Sequence, residues 1–185
     1  MKKISVKETA QYGCLLAFAM MVSYVEVLLP IHLGIPGAKP GLANSVIVLG
    51  LYIFGPVPAL IINVSRVVLS ALLFTNLYSL WYSLAGALVS FSAMVICSKI
   101  KGLSIFGVSI AGGVFHNMGQ MLIAIWVTKV PVLVYYVPVL ILIGAFTGLL
   151  NGFLAKLVCK HVKRVVGSKE QTDLQTKHDR SKKDR

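Results

Sequence analysis

Three ionisable side chains interrupt otherwise apolar stretches of the sequence: Glu26, Arg66 and His116. A charge or imidazole placed in hydrocarbon is costly, so residues of this kind tend to face one another, water or a bound solute. Arg66 is the sharpest of the three. Apolar sequence runs from Val57 to Phe74 around it, which leaves its guanidinium no short route to an aqueous surface. Asn63 and Ser70 stand at i−3 and i+4 from Arg66, so on a helix all three share one stripe. Two chemistries fit. The guanidinium can face an anionic or carbonyl-bearing solute, or it can pair with Glu26 and hold two helices together. His116, Asn117 and Gln120 form a second group; His116 and Gln120 share a helix face at i,i+4, and the group fits a solute site or polar glue between helices.

A third element is the segment Pro30–Gly41, which reads P-I-H-L-G-I-P-G-A-K-P-G and runs into Leu42-Ala43-Asn44. Three prolines and three glycines make a stiff, turn-rich stretch. It carries His32 and Lys39 to the start of the next apolar segment, where Asn44 caps or faces inward. It reads as the lid of a solute site or as a short re-entrant connector. The candidate binding residues are therefore Arg66, Asn63, His116, Asn117, Gln120, Lys39, Asn44 and Glu26.

The elements that must position them are apolar spans, at about Ala10–Leu29, Leu42–Phe54, Val57–Phe74, Tyr78–Ser98, Leu103–Thr128 and Val132–Cys159. The first is long enough to cross a core of roughly 30 Å and has no tidy cleavage site after it, so it reads as a retained helix rather than a signal peptide. The second is short for a span. The break Gly55-Pro56-Val57-Pro58 separates it from the third, although Leu42–Arg66 can also be drawn as one kinked helix. Charge favours six spans: Lys2, Lys3, Lys7, Lys99, Lys101 and the C-terminal basic cluster then share the cytoplasmic side, with Lys39, Lys129 and His32 outside. Gly13-x-x-x-Ala17 and Gly144-x-x-x-Gly148 set small residues one turn apart, as close helix approach requires. Gly112-Gly113 is expected to loosen the middle of the fifth span.

Composition agrees with a membrane protein. Of 185 residues, 57% are hydrophobic and only 13% charged, and mean hydropathy is +0.82, against 45–50% apolar and roughly 25% charged in a typical soluble domain. The net charge of +12 lies at the flanks of the spans and along the tail, where it meets anionic lipid, so nucleic acid is not a partner. Cys14, Cys97 and Cys159 are too isolated for a zinc site or a disulfide framework. Residues 1–166 form the membrane domain. Residues 167–185 carry one large aliphatic, Leu174, and are expected to be a disordered basic cytoplasmic tail.

Catalysis finds no support. There is no P-loop motif, and outside the tail the acids are Glu8 and Glu26 alone, too few for a paired-carboxylate or metal centre. No cofactor or metal site is indicated.

The string Pro36-Gly37-Ala38-Lys39-Pro40-Gly41-Leu42-Ala43-Asn44, with Arg66-Val67 and Phe115-His116-Asn117-x-Gly119-Gln120, resembles the bacterial "Gx transporter" group. That group is also catalogued as heptaprenyl diphosphate synthase component I, and the resemblance covers roughly residues 8–160. Such proteins are similar to the substrate-binding S components of energy-coupling factor (ECF) transporters. The resemblance implies an all-α, six-transmembrane-helix bundle in the bacterial cytoplasmic membrane, with both termini cytoplasmic. It also implies capture of a small solute or vitamin-like precursor, flavin- or quinone-related, together with an ECF coupling subunit and cytosolic ATPases. The synthase label conflicts with the residues, because prenyl diphosphate synthases use DDxxD motifs and here Asp173, Asp179 and Asp184 lie singly in the tail. The alternative is a non-catalytic membrane partner in prenyl or quinone metabolism or in flavin-based extracellular electron transfer.

Overall fold

A computed structural model describes residues 5–28 and 41–183, with side chains described as far as His161. The architecture is all-helical: α1 (Val6–Leu28), α2 (Asn44–Phe54), α3 (Pro56–Phe74), α4 (Leu77–Ser98), α5 (Ile105–Thr128), a 3-10 segment (Pro131–Tyr136) and α6 (Val137–Lys183). Five stretches are long and apolar enough to cross a membrane: α1, α3, α4, α5 and Pro131–His161. The chain is thus a multi-pass membrane protein. The tail expected to be loose lies, as to its side chains, outside the described residues, although the α6 backbone runs to Lys183.

Local chemistry sets the boundaries. Gly55 adopts φ +86° and ends α2, its N–H returning to the Leu51 carbonyl, and Pro56 starts α3 at a position that needs no amide hydrogen. The two segments are separate helices, not one kinked one. Asn76 caps α4 by accepting from the Ser79 amide at 2.8 Å, and Ser104 caps α5. Lys129, in the left-handed region at φ 57°, closes α5 ahead of Pro131. The last span opens with a six-residue 3-10 segment, Pro131–Tyr136, before α6 begins at Val137.

α2 is the shortest helix, about 16 Å at 1.5 Å per residue, and the most deeply placed. Asn44 through Leu51 are all buried, and α2 touches α1, α3, α4, α5 and α6. Its continuous apolarity reflects burial on every side, with Ile47, Val48 and Leu51 joining Ala59, Ile62, Phe91, Met94, Val108 and Ala155 in the main core.

The tightest packing joins α5 to α6. A Cβ added at Gly113 would fall 2.2 Å from the Gly144 carbonyl oxygen, and one at Gly148 would fall 2.6 Å from the Ser109 oxygen. These glycines let two backbones touch, as the Gly144-x-x-x-Gly148 spacing suggests. Two expectations are overturned. Gly112-Gly113 does not loosen α5, which runs unbroken; both glycines are packing positions, and the Gly112 carbonyl accepts from Ser90 Oγ at 2.7 Å. Gly13-x-x-x-Ala17 forms no seam among the described residues, since both are exposed and nothing lies within 4 Å of a Cβ built at Gly13.

α1 is the peripheral helix. Among the described helices it packs against α2 and α3, and it buries a single stripe, Ala19, Ser23 and Glu26.

Candidate functional site

The inner stripes of α1 and α3 build the centre of a polar cavity. Ser23 and Glu26 stand at i,i+3 on the inner stripe of α1, and Arg66 and Ser70 at i,i+4 on the inner stripe of α3. Thr75 from the end of α3, Ser83 from α4 and His116 from α5 complete the polar lining, with Val67 and Ala71 as the apolar part. The enclosed space is about 20 Å³, little more than one water molecule needs. Three larger hollows, of 170, 440 and 680 Å³, are open and almost wholly apolar.

Arg66 is 6% exposed. Its NH1 donates to Ser23 Oγ at 3.2 Å and its NH2 to Asn63 Oδ1 at 3.0 Å, while Nε is buried without a partner. Asn63 is anchored in turn, its Nδ2 donating to the Ala87 carbonyl of α4 at 3.3 Å. Glu26 has different partners. Its Oε1 accepts from the amides of Gly41 and Leu42, the latter at 3.2 Å. Glu26 and Arg66 therefore line one cavity but each leans on other groups, and no hydrogen bond joins them among the described residues; a tight Glu26–Arg66 clasp is not what holds α1 to α3.

Gly41 is where four helices meet. Its N–H goes to Glu26 of α1, and its carbonyl accepts from Asn151 Nδ2 of α6 at 2.9 Å and from the Asn44 amide of α2 at 3.0 Å. A Cβ there would fall 3.0 Å from Asn44 Nδ2 and 3.1 Å from His116 Cδ2 of α5. With φ +78° as well, the position suits glycine alone.

Of the eight candidate residues, Glu26, Arg66 and His116 line the cavity, and Asn63 orients Arg66 from outside it. Asn44 is buried beside Gly41, with both side-chain polar atoms lacking a hydrogen-bond partner. Asn117 does not reach the cavity; its Nδ2 donates to the Leu140 carbonyl at 2.9 Å, which ties α5 to α6. Gln120 is likewise outside the lining and packs its Cγ where a Gly86 side chain would stand. Lys39, and with it the lid reading of residues 30–40, lies outside the described residues. Ser23, Ser83, Thr75 and Asn151 were not singled out from sequence. The Ser23-x-x-Glu26 spacing was a signal for the first; single serines and asparagines in small-residue-rich helices give none for the others.

The fold and this site define a multi-pass, all-helical membrane protein that encloses a small polar cavity between α1, α3, α4 and α5. The chain belongs to the heptaprenyl diphosphate synthase component I family, which it matches over residues 15–158. No curated protein and no solved structure matches the chain significantly. Membership in a family named for a synthase component fits the expectation that the chain itself is not an enzyme.

Proposed function

We propose that the chain is the solute-binding membrane subunit of an uptake system, similar to the S components of ECF transporters. The observation that carries this reading is Arg66: a buried cation with an unpartnered Nε on a polar cavity built by four helices. An unsatisfied donor at membrane depth costs of the order of 1–3 kcal/mol, and a bound solute removes that cost. A cavity with room for a water is the closed form. Space for a solute comes from the wall with fewest neighbours, α1. The chain crosses the membrane six times with both termini cytoplasmic, α2 being the short, internal sixth segment; Lys2, Lys3, Lys7, Lys99 and Lys101 supply the inward bias. Energy comes from elsewhere, through a coupling subunit and cytosolic ATPases in the bacterial cytoplasmic membrane.

A second reading rests on the family name: a non-catalytic membrane partner of a prenyl diphosphate synthase. Purification of the tagged full chain from its native membrane, with its partners identified by mass spectrometry, separates the two. Stoichiometric ATPases with a membrane coupling protein are the expected result; a prenyl synthase in their place overturns uptake. The topology has its own check. A cysteine at Lys129 should label from outside and one at Lys101 only after permeabilisation, and outside labelling at Lys101 defeats the six-span arrangement.

A further inference from the structure

One flank of α2 is left open. α1 and α6 each pack against α2, and among the described helices they do not pack against each other. The hollows of 680 and 170 Å³ lie in that gap. They share Phe18 of α1, Leu49 of α2 and Val158 of α6, so together they form one groove with α2 as its floor. The floor belongs to the buried interior: Val46 and Leu49 are 2% and 4% exposed. Along α1 the groove runs from Lys7 to Val22. That is about 22 Å at 1.5 Å per residue, longer than one leaflet of a hydrocarbon core roughly 30 Å thick.

The chemistry of the groove is one-ended. Leu15, Phe18, Ile53, Phe54 and Leu154 wall it, and the one charged residue described in its lining, Lys7, stands at its end. Glu8, next to Lys7, is occupied by the start of its own helix, accepting from the Ser5 amide at 2.9 Å. Lys99 and Lys101 belong to the same end of the bundle. Tyr24 packs on Phe74 with ring centres 5.0 Å apart, which brings the far ends of α1 and α3 together, and α4 then runs back to the level at which α1 begins.

A long apolar slot with a cation at its mouth complements an acyl chain with an anionic head. A partner helix fits less well. Helices in lipid approach through small residues, as α5 and α6 do at Gly113, Gly144 and Gly148, and no glycine lines this groove.

We propose that the groove is a lipid site. One acyl chain of an anionic phospholipid from the surrounding bilayer lies on α2 between α1 and α6, with its phosphate at Lys7. The site is separate from the Arg66 cavity and does not depend on what that cavity binds.

The test uses the purified full chain in dodecyl maltoside. Dioleoyl phosphatidylglycerol or dioleoyl phosphatidylcholine is added at equal concentration, and bound lipid is counted by native mass spectrometry. Expected is one retained phosphatidylglycerol, preferred over phosphatidylcholine by about fivefold, the factor that one lysine near a headgroup contributes. Lys7→Gln should remove the preference, and Lys101→Gln, at the same end but outside the groove, should keep it. Cys14→Trp sets an indole in the groove and should abolish retention of either lipid. Equal retention of the two lipids by wild type, or the same loss of preference in Lys101→Gln as in Lys7→Gln, overturns the proposal. So does a Cys14→Trp protein that still holds the lipid. Should that variant not fold, alkylation of wild-type Cys14 by N-ethylmaleimide, followed by peptide mass, takes its place. Phosphatidylglycerol should slow the reaction at least fivefold. An unchanged rate, or a Cys14–Cys14 crosslink between two copies under oxidant with the lipid present, shows that lipid does not fill the groove and overturns the proposal.

Discussion

The α5–α6 interface and the α1–α3 edge solve opposite problems with the same materials. Between α5 and α6, Gly113, Gly144 and Gly148 strip away side chains until backbone meets backbone, and Asn117 contributes one hydrogen bond to a carbonyl across the seam. At the α1–α3 edge the contact is made by Ser23, Glu26 and Arg66 around a hollow, and only 17% of the most apolar stretch of α1 is buried, against 56% for α5. In lipid there is no hydrophobic drive to bring helices together, so close van der Waals packing makes a permanent seam. A seam made of polar groups around a cavity is weaker and separable. The first region is scaffold; on the uptake reading proposed above, the second is where the molecule opens.

The sharpest way to break that comparison is Gly113→Ala. The added methyl would lie 2.2 Å from the Gly144 oxygen, and both neighbours are backbone that cannot step aside. Overpacking of this kind costs about 3 kcal/mol or more, so the unfolding midpoint in denaturing detergent should collapse or the protein should fail to accumulate. A variant within about 1 kcal/mol of wild type would mean that the seam is not rigid.

Next comes Arg66→Gln, expected to cost about 1–3 kcal/mol through lost hydrogen bonds to Ser23 and Asn63. Glu26 keeps its hydrogen bonds from the Gly41 and Leu42 amides in that variant and loses only the longer-range attraction of the cation across the cavity. The coupling between Arg66→Gln and Glu26→Gln should then be small, below about 1 kcal/mol in a double-mutant cycle of melting in detergent. Restoration of wild-type stability by the double variant would instead make the two a structural pair and merge the edge with the scaffold.

Gly41→Ala probes the junction between the two regions, since Gly41 ties Glu26 on one side and Asn151 on the other. A left-handed φ forced on alanine costs roughly 1–2 kcal/mol, and the crowding of Asn44 and His116 adds to it. The melting temperature should fall and solute retention with it. Unchanged retention would show that the Gly41 turn does not shape the site.

Much of this was legible in the sequence, and the reasons differ by region. Membrane class and helix positions followed from apolar runs and Gly/Pro punctuation, because chain geometry and hydrocarbon thickness act locally. Arg66, Glu26 and His116 stood out because ionisable groups are rare in such runs, and the cavity does gather all three. What did not follow was which polar residue meets which. Asn117 and Gln120 share a short stretch with His116, but helical rotation sends them to other neighbours. The Glu26 partners are backbone amides, which no residue type announces. Nor did spacing alone distinguish working small-residue pairs: Gly144-x-x-x-Gly148 packs and Gly13-x-x-x-Ala17 does not, because the difference lies in what stands opposite.

That last contrast gives the smallest predicted effect and the cleanest control. Gly13→Ala and Gly148→Ala are the same chemical change in two helices of one protein. At Gly148 the new methyl would lie 2.6 Å from the Ser109 oxygen and 2.7 Å from the Ile110 Cα, so the helices must separate. At Gly13 it meets nothing within 4 Å. Alanine is the better helix former by about 1 kcal/mol in water, and backbone already hydrogen-bonded in an apolar setting has less to gain, so Gly13→Ala should shift stability by less than about 0.5 kcal/mol, in the stabilising direction. Melting of the two variants beside wild type in one detergent reads the difference directly. A clear loss at Gly13 would mean that this face of α1 is covered in the assembled membrane protein, and α1 would then cease to be the free wall that the comparison makes it.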